Sequence, residues 1–255
     1  MQEPEEAVCT NCGAPVVTNF CGECGQKSIT GGLDWKHLSE TFISFVFNFD
    51  RPFIKTLRGV LWNPGLASRK YIQGQHQTYY HPIRFFVFIL AIYVLIRVFV
   101  EYDPLAIQVE LAEGEVSENI QTSFDTRVAD KLSQSINYIL FVLVSILAIV
   151  GRFFFQKSRF NIVEFHVLSF YAVSAYLIFA GCITPLTVYV SPYFQYVIAG
   201  ILFVYLPLAL YSFVQPKQKL LGLFKAILVV VIAYVIYIPT VYYSIYGILW
   251  VSDFL

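Results

Sequence analysis

From Ile83 onward the chain is a series of long apolar runs separated by short polar breaks. The runs extend over Ile83 to Val100, Ile136 to about Phe155, Val163 to Thr184, Tyr193 to Val214 and Lys225 to Trp250. Each approaches the ~20 apolar residues that a helix needs to cross ~30 Å of hydrocarbon, so the pattern predicts five transmembrane helices. The last run contains Pro239, which predicts a kink; the alternative there is two short half-helices. Ahead of Ile83 the pattern changes. Leu33, Trp35, Leu38, Phe42, Phe45, Val46 and Phe49 recur close to helical spacing behind a capping Asp34, but charge interrupts them too often for a span. Such a segment is expected to lie along the membrane interface, with a small soluble helix as the alternative. Asp50-Arg51-Pro52 reads as a cap with proline in the first turn and predicts a second short helix to about Trp62. Asn63-Pro64-Gly65 breaks it and starts a third, through Tyr71-Ile72 to a stop at Gly74. Tyr79, Tyr80 and His81-Pro82 then form an aromatic threshold to the bilayer.

Composition agrees with this pattern. The chain is 57% hydrophobic and only 13% charged, against roughly 25% charged residues in soluble domains. The fold class expected is therefore an all-α integral membrane protein, with a small N-terminal metal ribbon and interfacial helices. Basic and acidic residues number 17 each, which removes bulk charge as an argument for nucleic-acid binding. Their placement carries the information instead. Arg97, Arg127 and Lys131 are the only basic residues outside the region up to Arg84 and the two later breaks at Arg152 to Arg159 and Lys217 to Lys225. The segment 101–135 is acidic, with Glu101, Asp103, Glu110, Glu113, Glu115, Glu118, Asp125 and Asp130. By the positive-inside rule the N-terminus is cytoplasmic and the C-terminus extracytoplasmic. The acidic start, Met1 to Glu6, has no apolar stretch, so no cleavable signal peptide is expected. The organisation expected is a cytoplasmic ribbon at 1–30, interfacial helices at 31–82 and a transmembrane domain at 83–255 with an acidic extracytoplasmic loop at 101–135.

The ribbon is expected from Cys9-Thr10-Asn11-Cys12 and Cys21-Gly22-Glu23-Cys24. Each C-x-x-C brings two thiolates to one side of a turn. Gly13 and Gly25 follow the second cysteine of each pair, where backbone N–H groups can point at the sulfurs. Two such knuckles form a closed four-sulfur tetrahedron, the geometry of structural Zn2+ held by Cys9, Cys12, Cys21 and Cys24. A closed site leaves no position for water or substrate. Two disulfides or a redox pair are the alternatives, and a reducing cytoplasm favours zinc. Lys27 alone against Glu3, Glu5, Glu6 and Glu23 argues against phosphate contacts, so nucleic acid is not an expected partner. Cys182, in an apolar run, is expected to be a small buried hydrophobe.

Catalytic chemistry finds little support. H-E-x-x-H, a phosphate-binding glycine loop, G-x-S-x-G and a dinucleotide fingerprint are all missing. The ionisable candidates in or near the spans are Arg97, expected to snorkel and pair with Glu101, and Glu164, expected to sit against the dipole of a first turn. Glu164 and His166 with His81 or His76 form the alternative, a proton-coupled or metal site. Pro185, Pro207 and Pro239 invite comparison with the broken helices of transporters, but no inverted repeat accompanies them.

One stretch resembles a known family. Phe20-Cys-Gly-Glu-Cys-Gly-Gln-Lys27, Phe49-Asp50, Phe53, Thr56-Leu57, Asn63-Pro64-Gly65, Tyr71-Ile72-Gln-Gly74 and Tyr80-His-Pro82-Ile83 are similar to an uncharacterised bacterial zinc-ribbon multi-pass membrane protein family with a domain of unknown function. The resemblance covers about residues 9 to 95 and implies a bacterial cytoplasmic membrane. Gln75-His76 stands where a basic pair is expected, which counts against phosphate binding at that loop. The five-span layout is also similar, in topology alone, to the Ypt/Rab-interacting membrane protein superfamily. Neither likeness implies a catalytic mechanism. The function expected is a non-enzymatic membrane protein whose ribbon and interfacial helices recruit a cytoplasmic protein partner or organise the bilayer, with a homo-oligomer left open. The alternative is a small transporter or channel using polar residues of the first, third and fifth spans.

Overall fold

A computed structural model describes residues 7–8, 13–16, 22–23, 51–103, 107 and 123–254. The chain divides into two compact units, Met1–Asn48 and Phe49–Leu255. In the first, β1 (Ala7–Val8) and β2 (Pro15–Val16) pair antiparallel, Ala7 opposite Val16 and Val8 opposite Pro15. The zinc ligands expected at Cys9, Cys12, Cys21 and Cys24, and the interfacial helix expected over Leu33 to Phe49, lie outside the described residues.

The second unit is all helical among its described residues. In order it comprises α1 (Arg51–Trp62), α2 (Pro64–Ile72), α3 (Pro82–Phe99), α4 (Ser123–Phe154), α5 (Ile162–Tyr189), α6 (Phe194–Val214) and α7 (Lys219–Phe254). The two short helices start and stop where the polar pattern predicts. The Asn63 side chain accepts from the Leu66 N–H at 3.0 Å, Pro64 occupies the first turn, and Gly74 beyond the end of α2 has φ +97°. These are the cap, the helix-competent proline and the left-handed stop that the residue types favour.

Among the described residues, four helices are long and apolar enough to cross a membrane: Pro82–Phe99, Ile162–Tyr189, Phe194–Val214 and Lys219–Ser244 within α7. The second of the five expected spans is the difference. It lies within α4, whose apolar stretch among the described residues, Ile139–Phe154, is shorter than the other four. Helix α4 also begins at Ser123, inside the segment expected to be acidic loop; its polar first turns continue the same helix rather than ending at Ile136. Helix α7 is continuous for 36 residues through Pro239, so the two half-helices do not occur. Proline removes one N–H at each of Pro185, Pro207 and Pro239, and neighbouring turns carry the helix past it.

Helix α5 is central. Of its apolar window 61% is buried, against 28–39% for the other three spans, and it packs on α1, α2, α3, α4 and α6. Small residues make this close packing feasible: Ala172, Ser174, Ala175, Ala180 and Gly181 are all buried. In lipid, where tails are as apolar as side chains, such close van der Waals contact holds helices together. Cys182, expected to be buried, is exposed; Gly181 and Thr184 take the packed face of that turn, which leaves position 182 off it.

Candidate functional site

The residues that distinguish this bundle from a plain set of spans gather at one end of it. There α1 and α2 dock through bonds that long-range pairing alone could create. Thr56 Oγ1 donates to Pro52 O at 2.7 Å and accepts from the Tyr80 N–H at 2.7 Å, which ties the start of α3 back to α1. The Tyr171 hydroxyl on α5 donates to Tyr80 O, and the Tyr205 hydroxyl on α6 donates to Val60 O. Phe53 fills the space between with its ring 5.7 Å from Tyr80, 5.4 Å from Phe85 and 5.2 Å from Phe88.

Arg69 is the strongest tie. It is buried, and its Nη1 donates to Ser212 O and, at 2.9 Å, to Phe213 O. These carbonyls belong to the last turn of α6, where no intrahelical N–H remains for them and the dipole favours a cation. Burial lowers the Arg69 pKa from its ordinary value, with Arg159 adding to the effect. Gly65, four residues earlier, lets α2 approach this turn: a Cβ there would lie 2.6 Å from the Ser212 carbonyl carbon. Asn63-Pro64-Gly65 is thus cap, first turn and contact surface in one string.

Beside this junction lies a cavity of about 950 Å³ between the α4–α5 and α6–α7 loops. Lys157, Arg159, Lys217 and Lys225 line it, and among the described residues no Asp or Glu does. Phe160 stacks on Phe213 at 4.1 Å as part of its wall, and Arg159 lies 5.0 Å over the Phe160 ring. Ser158 is another lining residue, and among the described residues its enclosed Oγ has no hydrogen-bond partner.

The residues singled out from sequence take other roles. Glu164 closes a capping box: the Asn161 N–H donates to its Oε2 at 2.6 Å, while the Glu164 N–H donates to Asn161 Oδ1 at 3.0 Å. His166 Nδ1 lies 2.9 Å from Ile162 O of its own helix. His76 and His81 both pack edge-on against Tyr71, at 4.6 Å and 6.2 Å. Desolvation lowers the His81 pKa, with Arg84 and His76 acting in the same direction. Among the described residues no three His, Cys, Asp or Glu side chains gather as a metal site. Arg97 neither snorkels nor pairs with Glu101. It is buried, its Nη2 reaches Tyr102 O at 3.4 Å, its guanidinium lies 5.6 Å over the Tyr102 ring, and among the described residues its Nε has no partner. Arg69 and the basic lining of the cavity entered the sequence reading only as topology markers. Nothing in their spacing marks them, because the loops that bring them together are far apart in the chain.

Comparison with known proteins adds one match. A family model described as "Protein of unknown function (DUF3667)" matches residues 50–94, which are α1, α2, the turn after them and most of α3. It coincides with the part of the expected resemblance from Asp50 to Ile83; the ribbon and the Ypt/Rab-interacting likeness have no counterpart in it. No curated protein and no solved structure matches the chain. The match is therefore confined to the sequence of α1, α2 and most of α3.

Proposed function

We propose that the protein is a non-enzymatic integral membrane protein whose N-terminus is cytoplasmic and whose cytoplasmic face, ribbon included, recruits a protein partner. The observation that carries this reading is the docking of α1 and α2. Bonds from Arg69 and Tyr205 hold the pair against the bundle, and one from Tyr171 holds the turn that follows it, yet its outer face keeps Trp62 at 92% and Ile54 at 59% exposure, beside exposed Lys55 and Arg58. A held surface with aromatic and basic groups outward suits a partner at the membrane boundary. Structural Zn2+ on Cys9, Cys12, Cys21 and Cys24 is part of the proposal. Supporting it, β1 and β2 pair on either side of the first C-x-x-C, Gly13 after Cys12 has φ +75°, and Gly22-Glu23 form a turn between Cys21 and Cys24.

The test uses the full chain. A photo-crosslinking residue at position 62 captures a discrete cytoplasmic protein in cells, and Gly65→Ala or Cys12→Ser diminishes that product. Crosslinks to lipid alone, unchanged by either substitution, would overturn the recruiting role. Metal analysis gives about one zinc per chain, lost in Cys9→Ser/Cys12→Ser; a metal content that the substitutions leave unchanged overturns the ribbon. The second reading, a small transporter, rests on buried Arg97, whose Nε has no partner among the described residues, since intramembrane charge marks substrate paths. Flux in reconstituted vesicles that Arg97→Ala abolishes would favour it.

A further inference from the structure

Lys157, Arg159, Lys217 and Lys225 converge on the cavity between the α4–α5 and α6–α7 loops, and among the described residues no carboxylate lines it. Glu164, in the adjoining first turn of α5, is engaged with the Asn161 N–H. Arg69 lies close behind, committed to the carbonyls of α6, and Arg159 acts on it as a like charge. Cations held together without a counter-charge repel one another, and a bound anion relieves that repulsion. The start of α7, where Gln218 and Leu221 line the cavity, offers the N–H groups of a helix N-terminus to the same kind of ligand.

The apolar part of the wall decides the source of the anion. Phe160 and Phe213 stack inside, while Phe153 at 67% and Leu221 at 48% exposure stand at the rim. These rim residues belong to the last turn of α4 and the first turn of α7, the level at which headgroup gives way to acyl chain. A free phosphate has no use for that rim. We propose that this cavity binds the phosphate-bearing headgroup of an anionic membrane lipid, held between Lys157, Arg159, Lys217 and Lys225, with the acyl chains running along Phe153 and Leu221. The volume of about 950 Å³ is at the upper end of the range for small-molecule sites. The proposal stands apart from the ribbon and from any protein partner.

Native mass spectrometry of the delipidated full-length protein in detergent tests it, with phosphatidylglycerol and phosphatidylcholine as probes and inorganic phosphate as competitor. Phosphatidylglycerol is retained at least about tenfold more tightly than phosphatidylcholine. Lys157→Gln/Lys217→Gln weakens it by about 30-fold, from roughly a factor of five per cation removed at a membrane surface, and leaves phosphatidylcholine unchanged. Lys55→Gln/Arg58→Gln, on the exposed side of α1, removes the same charge and has no such effect. Equal retention of the two lipids overturns the proposal, as does an equal loss in the α1 variant. Displacement of the lipid by phosphate at comparable concentration would assign the site to a soluble phosphate compound instead.

Discussion

Gly65→Ala separates two physical effects of opposite sign. On helix propensity alone, alanine for glycine in a helix stabilises by up to ~1 kcal/mol. At this position the new Cβ would lie 2.6 Å from the Ser212 carbonyl carbon and closer still to Ser212 Oγ and Phe213 N. Backbone atoms of α6 cannot rotate aside, so α2 must retreat by about 1 Å to restore ordinary carbon contact near 3.5 Å. That retreat stretches the Arg69 Nη1 to Phe213 O bond, now 2.9 Å, out of hydrogen-bond range. Overpacking costs about 1–3 kcal/mol and a bond to a charged donor about 1.5–3 kcal/mol. Set against propensity, the net is a destabilisation of about 1.5–5 kcal/mol, or a fall in Tm of roughly 3–20 °C for a chain of this size. Thermal unfolding in detergent, followed by tryptophan fluorescence, measures it. Gly200→Ala is the matched control: a Cβ there meets nothing within 4 Å, so its Tm holds or rises. If Gly65→Ala melts at or above the wild-type temperature, the close approach of α2 to α6 is not what holds this junction.

Removing the hydroxyls of Tyr171 or Tyr205 by substitution with Phe leaves Tyr80 O or Val60 O without its donor, and each change lowers stability in the same assay by about 1 kcal/mol; no change in either would mean that the docking bonds are dispensable. Asn63→Ala loses the cap of α2 at about 1 kcal/mol, and Asn63→Ser restores most of it. Glu164→Gln keeps the capping-box geometry and stays within about 0.5 kcal/mol of wild type, whereas a severe loss would show that the charge itself matters. His81 has a folded-state pKa below its ordinary value, chiefly through desolvation. The unfolded chain therefore takes up the proton first, near pH 6.5. The stability is present above that pH and declines as pH falls through the folded value. Melting at about pH 7.5 and about pH 5 shows a smaller decline in His81→Gln than in wild type; an equal decline assigns the effect elsewhere.

Much of this architecture is legible along the chain because the relevant signals are local. Asn63-Pro64-Gly65 and Gly74 mark α2 to the residue, since a cap, a fixed φ and a left-handed stop each depend on neighbours a few positions away. The first, third and fourth apolar runs are spans for the same reason, as each helix satisfies its own backbone in lipid. Proline at position 239 is a local signal too: of its two readings, a kinked span and a split one, α7 excludes the split by running through it as one helix, since an apolar surrounding penalises a broken backbone more than one missing bond. The start of α4 at Ser123 is missed because its polar first turns carry no apolar periodicity.

What the linear order does not contain is pairing at a distance. Sequence by itself determined the helical spans, the charge asymmetry and the spacing of Cys9, Cys12, Cys21 and Cys24, all of which rest on residues close together or on one solvent boundary. Tertiary structure decided that Arg69 belongs to the end of α6, that Glu164 is a cap, that Arg97 is buried beside Tyr102, and that Lys157, Arg159, Lys217 and Lys225 share one cavity. The reason is that charge in a loop costs almost nothing while water surrounds it, so composition leaves its position free. The alternation of basic breaks already expects these two loops on one side, but only the packing of the helices brings them, more than fifty residues apart in the chain, into one cavity.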